Sequence, residues 1–189
     1  GGTLTLDAGS RTEVLPEAGG DTAVDDSAQR RSEILLVGET VRLRGGSTVS
    51  ARGGVVDITA TSDPNAPLAP NAGRNAAARI VMEAGSRIDV SGTTTQLDVT
   101  RNLVTAELRG NELRDAPLQR DGALRNARVT VDARKGTELA DLSGDLARLP
   151  RTVDERLSAG GDVSLRSEGD VVLHAGSVID ASGGWIDYA

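Results

Sequence analysis

The stretch "VVLHAGSVIDASGGWIDYA" (Val171–Ala189) repeats a pattern that the chain carries in three earlier places. Its corner glycine is Gly176, and matching corners stand at Gly9, Gly46 and Gly85. A small residue precedes each glycine and a serine follows it. Aliphatic side chains lie five and three positions before the glycine, and small, aliphatic or threonine side chains three and five positions after it. Repetition at this scale predicts repeated structural units.

The spacing of two within each pair predicts short β-strands, because alternate side chains of a strand share one face. Glycine at the corner supplies the positive φ of a tight turn. Beyond a Gly-Gly pair, Val56 and Ile186 mark a third strand in the second and fourth copies. The third copy places Leu97 and Val99 there after a two-residue insertion. Three short strands over about 20 residues are typical of one coil of a parallel β-helix.

The predicted fold is therefore an all-β solenoid with a thin aliphatic core. A β-sandwich is the alternative, but a sandwich does not require the same residue classes at matched offsets. One coil cannot bury its own core, so stacked coils are needed. The predicted core residues are Leu4, Leu6, Val41, Leu43, Val49, Val56, Ile58, Ile80, Met82, Ile88, Val90, Val171, Leu173, Ile179 and Ile186.

The corner glycines also predict where the repeat is interrupted. Their spacings are 37, 39 and 91 residues, and the last interval is too long for simple repetition. We predict β-helix coils over 1–100, an insertion decorating the rod over 101–159, and a return to β-helix over 160–189. Surface loops are predicted near 13–32 and 63–78, where polar residues, proline and asparagine cluster.

The insertion holds the candidate interaction surface and a partly helical segment. The segment is "DLARLPRTVDERLSAGG" (145–161), in which Pro150 suits a helix start and Gly160 a helix end. Interleaved charges usually form a solvated or internally paired face, and arginine forks also suit sulfate, phosphate or carboxylate. The candidate surface comprises Arg109, Asn111, Glu112, Arg114, Asp115, Arg120, Asp121 and Arg125.

Composition excludes several functions. The net charge of −7 argues against nucleic-acid binding, which needs a basic footprint. The chain has no cysteine, so disulfides and thiolate metal sites are ruled out. Only Trp185 and Tyr188 are aromatic, which leaves the core to small aliphatic residues. We expect no cofactor and no metal.

The sequence offers weak candidates for chemistry. The one histidine, His174, should point outward from a strand, and Ser177 and Asp180 could complete a Ser-His-Asp arrangement with it. No motif supplies an oxyanion hole. Asp89 and Asp180 recur at matched offsets, which suits either calcium ligands or acceptors of backbone N–H groups near a turn. We expect no catalytic residue.

Two stretches of the chain are distinctive: "GDVSLRSEGDVVLHAGSVIDASGG" (161–184) and the long irregular segment from "LRGNELRDAPLQRDGALR" (108–125) to Gly161. Both resemble the filamentous-haemagglutinin family of large bacterial exoproteins secreted by the two-partner route. The irregular segment carries the more specific part of the resemblance. The resemblance implies a right-handed parallel β-helix, export through an outer-membrane transporter, and a role in adhesion or surface presentation. It places this chain downstream of the family's secretion domain.

From these features we expect a structural and adhesive shaft segment of a secreted or surface-exposed virulence-type exoprotein of a Gram-negative bacterium, not an enzyme. Its expected partners are the two-partner transporter during export, neighbouring β-helix coils of the parent chain, and a host-surface glycan or protein. Nucleic acid is not expected. The alternative is a carbohydrate-active β-helix enzyme, a polysaccharide lyase or hydrolase, which needs a groove with paired carboxylates.

Overall fold

The computed structural model describes residues 2–16, 30–63, 75–108 and 122–189. Strands dominate and helices are few, so the chain is all-β. The strands are β1 (Thr3–Leu6), β2 (Arg11–Val14), β3 (Glu33–Gly38), β4 (Thr40–Leu43), β5 (Thr48–Ala51), β6 (Val55–Ala60), β7 (Arg79–Met82), β8 (Arg87–Asp89), β9 (Thr95–Leu97), β10 (Leu103–Glu107), β11 (Arg128–Asp132), β12 (Asp162–Ser167), β13 (Asp170–Leu173), β14 (Val178–Asp180) and β15 (Ile186–Tyr188). The helices are a 3₁₀-helix (Val99–Asn102), α1 (Ser143–Arg148) and α2 (Val153–Arg156).

The chain forms two compact units. Among the described residues, unit 1 comprises 2–16, 30–63, 75–94 and 153–185. Unit 2 comprises 95–108, 122–152 and 186–189. The predicted insertion, 101–159, therefore differs from the structural division, because residues 153–159 with helix α2 belong to unit 1.

Unit 1 consists of three parallel sheets, with strand orders β1-β4-β7-β13, β2-β5-β8-β14 and β3-β6-β12. The pairing follows the sequence repeat. Leu4 aligns with Val41, Val41 with Ile80, and Ile80 with Val171, all at the position five residues before a corner glycine. We call one strand from each sheet a layer; β4–β6 form the second layer, and β7, β8 and β12 the third. Each copy of the sequence repeat thus places its strands in the next layer of the sheets.

The corner glycines form one kind of turn in every copy. Their φ angles lie between 73° at Gly9 and 88° at Gly176, as position i+2 of a type II turn requires. In each turn the serine N–H donates to the carbonyl three residues earlier, as Ser86 does to Glu83 at 3.0 Å. The turns also bond across layers, since the Gly85 N–H donates to the Gly176 carbonyl at 2.9 Å. The predicted glycine turns are confirmed.

The two middle layers contain the fully buried core. All nine predicted core residues of these layers are inaccessible to solvent: Val41, Leu43, Val49, Val56, Ile58, Ile80, Met82, Ile88 and Val90. Leu4 and Leu6 of β1 are partly buried and pack against this cluster. Ile34 and Leu36 of β3 join the core, although sequence reasoning gave no strand there.

Three of the core residues predicted in the last copy, on β13 and β14, are not buried. Val171, Leu173 and Ile179 are 42%, 50% and 40% exposed. The reason is topological: β13 and β14 are edge strands, paired on one side only within the described residues. Their inward faces therefore lack the next layer that covers the same positions in β4 and β7.

The third strand predicted in the fourth copy is confirmed as β15, but its predicted equivalence to β6 is wrong. Val56 in β6 aligns with Ile34 and Val163, whereas Ile186 aligns with Thr95 in unit 2 and is half-buried there. This register also rules out the two-residue insertion. The Gly-Gly pair preceding β6 corresponds to Gly160–Gly161 before β12, where the Asp162 N–H donates to the Gly54 carbonyl at 2.9 Å.

The chain leaves and re-enters unit 1 between residues that bond to each other. The Thr93 N–H donates to the Leu157 carbonyl at 2.8 Å, and the Thr93 hydroxyl donates to the Asp154 carbonyl at 2.8 Å. Gly184 N–H adds a bond to the Ser158 carbonyl at 2.8 Å. Helix α2 follows Pro150, as the helical pattern predicted. We call these contacts the neck.

Unit 2 has its own small core and two strand pairs. Strands β10 and β11 are antiparallel, whereas β9 and β15 are parallel. Leu108 is completely buried, and Leu142 is nearly so. The Arg134 guanidinium donates through Nε to the Asn102 side chain at 2.9 Å and lies 5.1 Å from the centre of the Tyr188 ring.

The predicted loops are only partly described. Glu13 and Val14 belong to strand β2, so the first loop begins later than residue 13. The remainder of that loop from 17 to 29, and residues 64–74 of the second loop, lie outside the described residues. At the end of the second loop Ala78 is buried and its N–H donates to the Asn75 carbonyl at 3.0 Å.

Candidate functional sites

The recurring aspartates lie at corresponding positions of β8 and β14 and accept hydrogen bonds from a nearby serine. Asp89 Oδ1 accepts from the Ser91 N–H at 3.0 Å and its hydroxyl at 2.6 Å. Asp180 Oδ1 accepts from the Ser182 N–H at 3.1 Å and its hydroxyl at 2.7 Å. Each aspartate thus closes a local turn with its own backbone.

A guanidinium joins the two aspartates across layers. Arg87 Nη2 lies 3.3 Å from Asp89 Oδ2 and 2.7 Å from Asp180 Oδ2. The oxygens that a calcium ion would need are therefore engaged by a cation of the chain itself. No group of three or more potential metal ligands occurs among the residues that the structure describes.

These contacts set the ionisation of both carboxyl groups. The Ser182 hydroxyl and N–H, followed by Arg87, lower the pKa of Asp180 below its usual range. For Asp89, burial acts to raise the pKa, but the two bonds from Ser91 and the charge of Arg87 outweigh it, so that its pKa is also lowered. Both groups are stabilised as carboxylates.

Among the described residues, the hydrogen bonds of Ser177 and Asp180 do not join them to the His174 side chain in a Ser-His-Asp arrangement. His174 is exposed, and its carbonyl accepts a 2.8 Å bond from the Ser177 hydroxyl. Asp180 bonds to Ser182 and Arg87. The serine hydroxyl is thus directed to a carbonyl of its own turn.

The candidate interaction surface is almost wholly outside the described residues. Arg109–Asp121 fall there, so the structure says nothing about seven of its eight side chains. Arg125 is described and exposed, and its N–H donates to the Gly122 carbonyl at 3.1 Å. The surface stays a prediction.

A buried carboxylate in unit 1 has a structural position. Glu168, between β12 and β13, is 1% exposed. It accepts bonds from the Thr61 hydroxyl at 3.1 Å, the Ser62 N–H at 2.9 Å and the Ser62 hydroxyl at 2.8 Å. A buried carboxylate needs such donors. Glu168 therefore fixes the chain leaving β6.

A concave pocket of about 340 Å³ lies at the corner of unit 1 where β5 turns into β6. Three arginines line it: Arg30, Arg31 and Arg156. The other lining residues are Leu15, Pro16, Ser32, Gly53, Val153 and Leu157. We call this the arginine pocket. None of the described residues that line it is a carboxylate, in a chain with a net charge of −7.

Sequence reasoning missed the arginine pocket. Arg30 and Arg31 precede β3, whereas Arg156 ends α2, far along the chain. Only the pairing of both β3 and β12 with β6 brings their flanking segments to one corner. The adjacent pair Arg30–Arg31 was the one local signal, and it is too common to identify a site.

Comparisons with protein-family models, with curated proteins and with solved structures find no match for this chain. Among the described residues, no helix has the length and apolarity to cross a membrane.

Proposed function

We propose that unit 1 is a segment of a right-handed parallel β-helix, and that it serves as a structural, adhesive shaft in a large secreted exoprotein similar to the filamentous haemagglutinins. The observation that carries this proposal is the in-register alignment of three parallel sheets. Each sheet repeats the same residue classes from layer to layer. Such a stack has no inherent length limit, because every layer offers the next one the same surface.

The outer surface supports this role as well. Ion pairs link neighbouring layers, with N–O distances of 3.4 Å for Arg42–Glu83, 3.7 Å for Arg44–Asp7 and 3.4 Å for Arg166–Asp57. Each exposed pair contributes little, about 0–1 kcal/mol. Together they keep the exterior solvated and favour one register over its neighbours. A shaft needs both properties.

The exposed fourth layer fits a shaft that continues. Strand β13 presents Val171 and Leu173 at positions that are completely buried in β4 and β7. A further layer with the same alternation would cover them. We propose that coils of a parent chain supply this further layer. The outer-membrane transporter of a two-partner system exports the parent chain, which then lies on or outside a Gram-negative cell.

The shaft proposal is tested by adding layers. Residues 40–78 span one complete period, since Thr40 aligns with Arg79. Tandem copies of this segment inserted after Ala78 should each lengthen the molecule by about 4.8 Å, the spacing of paired strands. Small-angle X-ray scattering on chains with none, five and ten extra copies measures the increment.

The matched control carries the same copies with Leu43→Asp in each one. A charge in the core column should prevent stacking, so those chains should not extend linearly. If the native copies give a maximum dimension that does not rise in proportion to copy number, the layers do not stack along one axis and the shaft proposal is wrong.

The adhesive part of the proposal needs a separate measurement. The intact chain and a variant with 95–152 replaced by a short Gly-Ser linker are compared for binding to host cells. Binding by the intact chain alone assigns adhesion to the excised segment. If neither binds, the chain has no adhesive site and only the shaft proposal stands.

The described residues do not favour the enzyme alternative. Hydrolysis of a glycoside typically needs two carboxyl groups about 5–10 Å apart in a groove. Among the residues that the structure describes, the arginine pocket has no carboxylate in its lining, and a second groove, beside Gly38, has only Glu39. Neither concavity therefore adds a catalytic proposal to the structural one.

A further inference from the structure

We infer that the arginine pocket is a binding site for a single oxyanion group, a carboxylate or a sulfate, carried by a small acidic ligand. This inference stands apart from the shaft proposal, because it depends on one corner of unit 1 and not on the number of layers. Its three arginines belong neither to the sequence repeat nor to the predicted interaction surface.

The first argument is the charge of the lining. Arg30, Arg31 and Arg156 converge on one concavity of about 340 Å³, and no acidic side chain lines it within the part of the chain that the structure describes. The protein as a whole carries a net charge of −7 and would repel anions elsewhere. Guanidinium groups present donors in a planar fork that matches carboxylate and sulfate oxygens. The pocket is thus a local reversal of the protein's charge.

The second argument is the state of the three guanidinium groups. Arg31 is paired with Asp162. Arg156 differs, because its Nε is buried and has no hydrogen-bond partner. Within the described residues, neither Arg156 nor Arg30 forms a salt bridge. A buried N–H normally finds a partner, so the unpaired Nε leaves the Arg156 guanidinium incompletely satisfied beside the pocket that it lines.

The third argument is that the pocket wall is rigid where Arg156 stands. Gly53 has a φ of 60°, and a Cβ there would lie 3.0 Å from both Cα and the carbonyl oxygen of Leu157. The end of α2 therefore packs directly on the β5–β6 turn. The neck bond from Thr93 to Leu157 fixes the same point from the other side. A preorganised arginine loses less conformational entropy on binding.

The apolar part of the lining limits the ligand. Leu15, Pro16, Val153 and Leu157 form the rest of the wall and accept no hydrogen bond through their side chains. A ligand that fits has one anionic group facing the arginines and a compact, partly apolar body. The volume lies at the lower end for small-molecule sites.

Titration of the ¹⁵N-labelled chain by nuclear magnetic resonance tests the inference. The probes are sodium sulfate and sodium glucuronate, added at constant ionic strength against sodium chloride. We expect saturable shifts of the Arg156 Nε–Hε signal and of the Gly53 and Leu157 amides, with the Gly9 turn unchanged. Saturation by either probe supports the site; saturation by one probe alone identifies the oxyanion, and saturation by both shows that the site takes either group.

Variants separate the site from general charge effects. Arg156→Gln and Arg156→Lys should each weaken binding at least about tenfold, the first by losing charge and the second by losing the fork. Arg44→Gln is the matched control, because it removes the same charge from unit 1 at a residue paired with Asp7. Circular dichroism confirms that each variant is folded.

Two results would overturn the inference. One is a linear, non-saturating shift of the Arg156 signal with both probes. The other is equal weakening by Arg156→Gln and Arg44→Gln, which would show that only the overall charge matters. The wild-type titration alone decides whether the site binds an oxyanion, even if an Arg156 variant fails to fold.

Discussion

At the scale of single residues, the fold depends on positions where only one kind of side chain suits the backbone. The corner glycines adopt positive φ, and the serine after each one closes the turn through its N–H. The aspartates at Asp89 and Asp180 perform a similar task at the next turn with their carboxylates. These contacts are local, so each copy of the repeat can form them without help from another.

Replacement of Gly85 by alanine should destabilise unit 1 by about 1 kcal/mol or more, because alanine is strained at its φ of 80°. Gly183→Ala is the matched control, since Gly183 has no positive φ and a Cβ there would meet nothing within 4 Å. Thermal unfolding followed by circular dichroism measures both. An equal loss of Tm in the two variants would contradict the argument from backbone conformation.

Acid should weaken the fold through Asp89 and Asp180. Their folded pKa values are lower than the reference value of 3.8, so their contribution is complete above that pH. It is lost as the pH falls through the lowered folded values. We expect Ser182→Ala to raise the pKa of Asp180 toward its reference value and so to reduce the stability that this carboxylate contributes above that pH. Carboxyl ¹³C shifts measured against pH report the change.

The control for that titration is Ser177→Ala. It removes a serine hydroxyl that bonds to a backbone carbonyl, not to a carboxylate. The pKa of Asp180 should stay where it is in the unaltered chain. A similar change in both variants would mean that the Ser182 contact does not set the ionisation.

At the scale of strands, the same residue class has a different energetic weight in different layers. Leu43 in β4 is completely buried, whereas Leu173 in β13 occupies the same position and is 50% exposed. The difference arises because β4 has a paired strand on each side and β13 on only one. The position of a residue in the repeat decides whether its side chain faces the core. The position of its strand in the sheet decides how much that side chain contributes to the free energy of unfolding.

Leu43→Ala should therefore cost about 2–5 kcal/mol of unfolding free energy, as for other buried leucines. Leu173→Ala should cost roughly half of that or less, because half of its side chain already contacts solvent. Denaturant titration gives both values, and the chemistry of the two substitutions is identical. Comparable losses would show that β13 is covered in solution.

The strands beside the corner glycines could be predicted from sequence because their signal is local. The alternation of aliphatic side chains is visible within each copy, as at Val41 and Leu43, and the turn residues lie next to them. The third sheet could not be predicted in the same way. Its third-layer strand, β12, begins only after the long segment 95–152. Strand β15 also follows a Gly-Gly pair, but it pairs with β9 in unit 2.

The arginine pocket was unpredictable for a related reason. Its arginines are brought together by the pairing of β3 and β12 with β6, and this pairing was not known from the sequence. The buried carboxylate of Glu168 was missed because a single glutamate in a polar stretch gives no sign of burial. Tertiary pairing, not residue type, creates both features.

At the scale of the whole molecule, the division into two units implies that unit 1 is the more autonomous. Among the described residues, every strand of its three sheets pairs with another strand of unit 1, and its chain exit and re-entry are bonded together at the neck. Unit 2 rests on a smaller core around Leu108 and Leu142. Independent folding of unit 1 follows from this arrangement.

A chain with residues 95–152 replaced by a short Gly-Ser linker and ending at Trp185 should keep its β-sheet circular dichroism and unfold cooperatively. The Thr93–Leu157 bond keeps the two ends of the linker close, so little closure entropy is lost. A control in which 75–94 is replaced by the same linker removes β7 and β8 from the middle of two sheets. The control should unfold; loss of structure in both would show that unit 1 needs unit 2.

The neck also bears on how such a chain can change over generations. The chain leaves unit 1 near Thr93 and returns near Leu157, and these two points are hydrogen-bonded to each other. The free energy of closing a loop between them rises by only about 0.6 kcal/mol for each doubling of loop length. Recombination could therefore exchange everything between Thr94 and Val153 for an unrelated sequence while the stacked strands stay as they are. A foreign epitope could be inserted between the same two points, and unit 1 would present it without being redesigned for each inserted sequence.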